Sequence, residues 1–238
     1  MEPIDIARKL VTEWSSLFGP RLRSGLLFGS VARGEAVAGV SDVNVLLLVD
    51  EIDARTLKQA SASTRNWIKT SREAPLLFEA AQWVRAADVF AIEIADMRDA
   101  HQVLHGNDPL EALQPDDSAM RLQAERELRG KLLQLQTGLL VAADAPADVG
   151  VLLKQSLPSF TTYMRALLRL TGETVPGNTP DVIDRATRLV GGTAEPYHRI
   201  WSARKEKSAF KLAVDDAVVE AYYDTAEKMA DYVDTLRR

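Results

Sequence analysis

The sequence predicts an α+β fold: a mixed sheet with helices up to about residue 115, followed by an all-α helical bundle. Three observations predict it. Short apolar strand patterns alternate with helical ones as far as Asp96. Turn and linker chemistry follows, in Asn107-Asp108-Pro109 and in Pro115-Asp116-Asp117-Ser118. Beyond that linker only helical periodicity remains. The expected domains are therefore 1–115 and 116–238.

Ile6, Leu10, Val11, Trp14, Leu17 and Phe18 recur at helical spacing, and Gly19-Pro20 stops that helix. Ser24 to Phe28 is short and apolar, so it reads as a strand. Gly29 to Gly39 holds three glycines and reads as a loop, alone or with a short helix. Val43 to Val49 is a β-branched apolar run bounded by polar residues, which is a buried strand. Asp53 caps a helix running to about Lys69. Leu76 to Phe78 is a short strand, 80 to 87 a short helix, and Val89 to Ile94 a further strand ending near Asp96. After the linker, helices are expected over Ala119–Ala143, Asp148–Leu170, from Thr179, over Ala194–Ala203 and over Asp215–Leu236. Pro158 should kink the second and Gly172 should end it. Thr179 should cap the third, with Pro180 at its first position.

Composition narrows the function. The 238 residues are 46% hydrophobic and 26% charged, the balance of a soluble globular protein. No apolar run reaches the roughly 18 residues of a membrane helix, so no membrane partner is expected. No secretory pattern opens the chain. With no cysteine there is no disulfide, thiolate metal site or cysteine nucleophile, which fits a reducing cytoplasm. The net charge of −5 argues against a nucleic-acid partner. Arg199, Arg204, Lys205 and Lys207 are expected as a solvated basic face.

The chemistry-bearing stretch is Leu26-Leu27-Phe28-Gly29-Ser30-Val31-Ala32-Arg33-Gly34-Glu35, followed by Ser41-Asp42-Val43-Asn44-Val45-Leu46. An apolar strand leads into Gly29, where the backbone can turn sharply and approach a ligand. If Ser30 to Arg33 form a helical turn, their N–H groups point at an anion. Asp42 and Asn44 stand two apart, so their side chains share one face. Oxygen ligands beside a phosphate cradle are what a Mg²⁺–nucleotide site requires.

These residues resemble the Gly-Ser…Ser-Asp-x-Asp signature of the DNA polymerase β-like nucleotidyltransferase superfamily. Within it, they are most similar to the kanamycin-type bacterial antibiotic nucleotidyltransferases. The resemblance implies a nucleotidyltransferase-type mixed sheet with the Gly-Ser loop over the nucleotide phosphates. It also implies two Mg²⁺ ions held by three carboxylates, two from the Asp-x-Asp strand and one from a later strand. Gly29, Ser30, Arg33 and Asp42 are then the nucleotide-binding residues. Asp42 matches the first carboxylate, and Asn44 stands where the second Asp belongs. Glu93, charged within an apolar run, is the choice for the third, with Asp96 as runner-up. The expected metal set is thus Asp42, Asn44 and Glu93, converging beside the loop.

An amide at position 44 offers one neutral oxygen where a bridging carboxylate would add charge. Losing one such electrostatic contribution commonly lowers a rate by about 10²–10³. Asp50 lies roughly 20 Å along the strand and is too far to substitute. Two readings stand. In one, the chain transfers a nucleoside monophosphate from a nucleoside triphosphate to an acceptor hydroxyl, on a small molecule or a protein. In the other, it is a silent homologue that binds a nucleotide or a partner.

The remaining candidates are weaker. In Glu125-Arg126-Glu127-Leu128-Arg129-Gly130-Lys131 the functional reading is a helix face lining a cleft between the domains. Glu127 would then be the base toward the acceptor, and Arg129 or Lys131 would meet phosphate. The alternative is a solvated set of ion pairs. Gly130, mid-helix, hints at a close approach. His101 and His105, four apart, would share a helix face without a third metal ligand. Trp201, Tyr222 and Tyr223 read as core or interface aromatics. No hydrolase elbow, Walker A loop or dinucleotide fingerprint is present.

Overall fold

A computed structural model describes residues 2–236, except positions 38, 40 and 72. It divides into two compact units, residues 1–115 and 116–238.

The first unit is a four-stranded sheet between two layers of helix. Its elements are α1 (Pro3–Phe18), β1 (Leu22–Phe28), β2 (Asn44–Val49), α2 (Ala54–Ser71), β3 (Leu76–Glu79), α3 (Ala80–Arg85), α4 (Ala91–Asp99) and β4 (His101–Gly106). The strand order is β3-β2-β1-β4. β1 runs antiparallel to β2 and β4, and β2 runs parallel to β3, so the sheet is mixed. Alternation along the strands sorts the side chains. Leu27, Val45, Leu47 and Val49 pack with Leu10, Trp14 and Trp67 of α1 and α2. Leu26, Leu46 and Leu48 pack on the other face with Trp83, Ile94 and Met97 of α3 and α4. Asp53 caps α2, its carboxylate accepting from Thr56 N–H at 2.6 Å.

The strand expected over Val89–Ile94 is not there. That stretch ends in α4, and the fourth strand is His101–Gly106. A short apolar run does not distinguish a buried strand from a buried helix, and here Ala91, Ile92, Ile94, Ala95 and Met97 are all buried as a helix. β4 escaped notice because it is an edge strand, half exposed, carrying His101, Gln102 and His105. His101 and His105 therefore stand on a strand. His101 Nε2 lies 3.0 Å from Asp108 Oδ2, and His105 Nε2 lies 3.3 Å from the Leu22 carbonyl.

The second unit is helical: α5 (Asp117–Ala142), α6 (Pro146–Leu170), α7 (Thr179–Val190), α8 (Glu195–Lys205) and α9 (Ala217–Thr235). Asp116 caps α5 through Ala119 N–H at 2.9 Å. Asn178, one residue before the expected cap Thr179, caps α7 through Asp181 N–H at 2.9 Å. α6 continues through Pro158. The ring deprives the Lys154 carbonyl of its helical donor, and Arg204 Nη1 supplies one at 3.0 Å. The chain between α8 and α9 is held on α6: Leu212 N–H donates to the Pro146 carbonyl at 3.0 Å, and Lys154 Nζ to that of Ser208 at 3.3 Å. A side-chain carbon on Gly150 would overlap the Phe210 carbonyl there. Tyr222 is fully buried, stacked on Tyr197 at 4.3 Å and hydrogen-bonded to Ser156 at 2.9 Å. Among the described residues, no helix is long and apolar enough to cross a membrane.

The close approach expected at Gly130 is absent within the chain, for nothing lies within 4 Å of where its Cβ would be. It occurs instead at Gly138, whose Cβ would meet Leu152 of α6 at 2.7 Å.

Candidate nucleotide site

One end of the sheet gathers the sequence's candidate residues. β1 ends at Phe28, paired with Asn44 at the start of β2 and with His101 at the start of β4. The chain leaves β1 through Gly29, whose φ of +76° suits glycine. It then makes a turn in which Arg33 N–H donates to the Gly29 carbonyl at 3.0 Å and Glu35 N–H to that of Ser30 at 2.9 Å. The helical turn expected over Ser30–Arg33 is thus present as a single turn. Among the described residues, the N–H groups of Ser30, Val31 and Ala32 meet no protein acceptor.

Asn44 lies against this turn, its Nδ2 2.9 Å from the position of a Cβ on Gly29. It shares the sheet face of Leu46 and Leu48. Asp42 precedes the strand, which begins at Asn44 rather than Val43. Val43 nonetheless packs with Val45 and Leu47, so the alternation extends outward and assigns Asp42 to the face of Asn44. The Asp42 side chain is half-buried and meets no partner among the described residues. Ser41 closes the connecting loop, its Oγ accepting from Val37 N–H at 2.9 Å.

The premise for Glu93 fails, because it stands in the first turn of a helix and not within a strand. Asp96 is the α4 carboxylate that reaches the loop. It pairs with Arg33 Nη2 at 2.6 Å, and the Asp96 carbonyl accepts from the same nitrogen at 3.1 Å. Both side chains are largely buried, 8% and 15% exposed. Arg33 is thereby engaged in tying the turn to α4, and the Asp96 carboxylate is neutralised by it. Glu93, three residues earlier, lies on the same stripe of α4, about 4.5 Å from Asp96 along the axis.

The strands do not supply a third carboxylate at this end. β3 is parallel to β2, with Leu76 opposite Leu46, so the position level with Asn44 is Ala74. The acid of β3, Glu79, is at the far end, where it accepts from Ile52 N–H at 2.9 Å. Asp50, at the far end of β2, pairs with Arg23. Among the described residues, no three His, Asp or Glu side chains form a group able to hold a metal ion. Among the described residues nothing thus replaces the charge missing at Asn44, and they do not fit a two-ion, three-carboxylate centre.

In the second unit, Glu127 is paired with Arg126 at 3.2 Å on an exposed face. Arg129 bonds Asp231 at 3.0 Å and also Asp234, fastening α5 to α9, and Lys131 donates to Gln134. These contacts match the ion-pair reading of that helix face. Of the basic group, Arg199 sits 3.6 Å from Glu195 and Lys205 lies over the Trp201 ring at 5.7 Å.

No protein-family model matches the sequence, and no curated protein matches it. The structure is similar to that of spectinomycin adenyltransferase from Enterococcus faecialis, solved with ATP and spectinomycin. The TM-score is 0.58 at 14% identity, over 96% of this chain and 98% of that chain. The chain thus has a nucleotidyltransferase-type fold, with the helical unit included in the match.

Proposed function

We propose that this protein binds a nucleoside triphosphate at the Gly29–Gly34 turn and that its transfer of a nucleoside monophosphate is weak. The observation that carries the proposal is the turn itself. Among the described residues, three N–H groups of the turn have no protein acceptor and the Asp42 carboxylate has no partner. Such a cluster of oriented donors favours a phosphate oxygen. The similar adenyltransferase, solved with ATP and spectinomycin, supports a nucleotide and a small-molecule acceptor as ligands. In the transfer, the acceptor oxygen bonds the α-phosphorus, the bond to pyrophosphate breaks, and the hydroxyl proton passes to a base.

A specific observation favours the second reading, a nucleotide-binding protein without transfer. With Asn44 at the strand start, Asp96 paired to Arg33 and Ala74 uncharged, Asp42, just before β2, has no second carboxylate from the strands beside it among the described residues. Mg²⁺ is accordingly not assigned a step here.

Calorimetry with ATP, GTP, CTP and UTP, with and without Mg²⁺, tests the binding. At least one triphosphate should bind with little dependence on the metal, and Gly29→Val should abolish it. Absence of binding at about 1 mM, near −4 kcal/mol, would refute the proposal. Turnover at or above about 1 s⁻¹, ordinary for an enzyme, would refute weak transfer and leave binding intact.

A further inference from the structure

α5 buries Leu128, Leu132 and Leu135 on one side. On the opposite side it holds large apolar groups in solvent: Leu133 is 64% exposed, Leu140 74% and Val141 84%. Leu133 and Val141, with Val151 and Leu152 of α6, border an open groove of about 670 Å³, and Leu140 lies outside its lining. Gly130, mid-helix and with nothing near it, lies on the same side. Residues 126, 130, 133, 137, 140 and 144 are spaced four, three, four, three and four apart, one continuous stripe of a helix. Read in order, the stripe is Arg126, Gly130, Leu133, Thr137, Leu140 and Asp144. Asp144 stands just beyond Ala143, which keeps helical angles as the cap of α5.

We infer that α5 packs antiparallel against α5 of a second copy of this chain, across a twofold axis near residue 135. The stripe is self-complementary about that point. Positions equally distant from residue 135 meet across the axis. Arg126 then faces Asp144 of the second copy, placing an opposite charge at each end of a seam about 27 Å long. Leu140 enters the gap that Gly130 leaves, and Leu133 packs on Thr137. The open space over Gly130 is filled, and Leu140, the most exposed leucine of α5, gains a receptacle. A parallel pairing would set Arg126 against Arg126, Asp144 against Asp144 and Gly130 against Gly130, opposing like charges and leaving the gap empty. Among the described residues of the single chain, Arg126 pairs with its neighbour Glu127 alone, at 3.2 Å, with its side chain 74% exposed. That pair is compatible with a second carboxylate on the guanidinium. One helix seam with the flanking Val151 is a small interface, so a dimer of micromolar affinity is expected.

The test is sedimentation velocity on the full chain from about 1 to 100 μM, around the expected micromolar dissociation constant. The dimer fraction should rise with concentration. Leu140→Arg should sediment as a monomer throughout, and its circular dichroism should be unchanged because the site is exposed. Arg126→Asp and Asp144→Arg should each weaken dimerisation about tenfold, and the two together should restore it, as a direct charge pair requires. Gly130→Leu should raise the melting temperature, by helix propensity, while reducing dimerisation; a gain of propensity alone cannot give opposite signs. A parent chain monomeric at 100 μM would overturn the inference and give the apolar face to a different partner. A dimer that survives Leu140→Arg and both single charge reversals would overturn it too, placing self-association elsewhere.

Discussion

Replacing Gly29 by alanine loads the turn in two separable ways. At φ +76° an L side chain is strained by about 1–2 kcal/mol. The added Cβ also lands 2.9 Å from Asn44 Nδ2, well inside ordinary van der Waals contact. Either the amide swings away or the turn shifts. The sum expected is about 2–3 kcal/mol, a factor of roughly 30–150 in the folding equilibrium. Asn44→Ala in the same chain removes the crowding and leaves the strain, so the double variant should recover about 0.5–1.5 kcal/mol relative to additivity. Urea unfolding followed by tryptophan fluorescence is the suitable assay. Three of the four tryptophans, Trp14, Trp67 and Trp83, lie in the first unit, so the signal reports chiefly on the sheet and its helices. A Gly29→Ala chain within about 0.5 kcal/mol of the parent would refute the strain argument. Additivity of the two changes to within about 0.3 kcal/mol would show that Asn44 does not lie under the turn.

Arg33→Met should destabilise the first unit by about 3 kcal/mol, because it strips a largely buried carboxylate of its guanidinium; a neutral result in urea would mean that the pair does not hold the turn. Asn44→Asp should raise nucleotide affinity only when Mg²⁺ is present and raise transfer by about 10²-fold. Without metal it should lower stability, by repulsion from Asp42, and equal metal-dependent binding by both forms would remove position 44 from the site. The Thr56 N–H bond holds the Asp53 carboxylate below its ordinary value. Its contribution to stability is therefore present above the unfolded value, about 3.9, and lost as pH falls through the lower folded value. The advantage of the parent over Asp53→Asn in urea should accordingly be seen at pH 7 and shrink below about pH 4. Asn178→Ala should remove about 1 kcal/mol from the helical unit, as loss of an N-cap does, with Thr179→Ala acting through the buried Arg165 bond instead; the order of the two by thermal melting checks the assignment of the cap.

Much of the fold could be read from residues whose environments are local. The apolar run of β2 and the Asp53 cap depend on near neighbours and stand as expected. α4 and β4 do not. The apolar residues around Glu93 can be buried in either form, and what decides is the sheet beneath them. Leu26, Leu46 and Leu48 accept Ile94 and Met97 from a helix, and the open edge of β1 pairs with a polar strand that has no apolar signature. The site was legible as far as its continuous segment reaches. Gly29 and Ser30 begin a turn whose Ser30, Val31 and Ala32 N–H groups meet no acceptor among the described residues, and Asn44 lies beside it. For Glu93 the structure overturns the expected strand and places the residue on a helix. The engagement of Arg33 by Asp96 spans 63 residues, and no spacing within either segment announces it.

The attachment of the α8–α9 connection to α6 has a consequence for comparing relatives of this chain. The Phe210 carbonyl occupies the space that any side chain at position 150 would need, so glycine there is imposed by a segment sixty residues away. The Lys154 carbonyl, freed by Pro158, is likewise answered by Arg204 from the end of α8. These two couplings bind the same pair of regions. A relative that gains a side chain at the position of Gly150 should have a shortened or redirected α8–α9 connection. One that loses the proline should be free to lose the arginine. Positions 150 and 158 should therefore vary together with the stretch from 204 to 212 across descendants of a common ancestor, even though neither region touches the nucleotide turn in sequence.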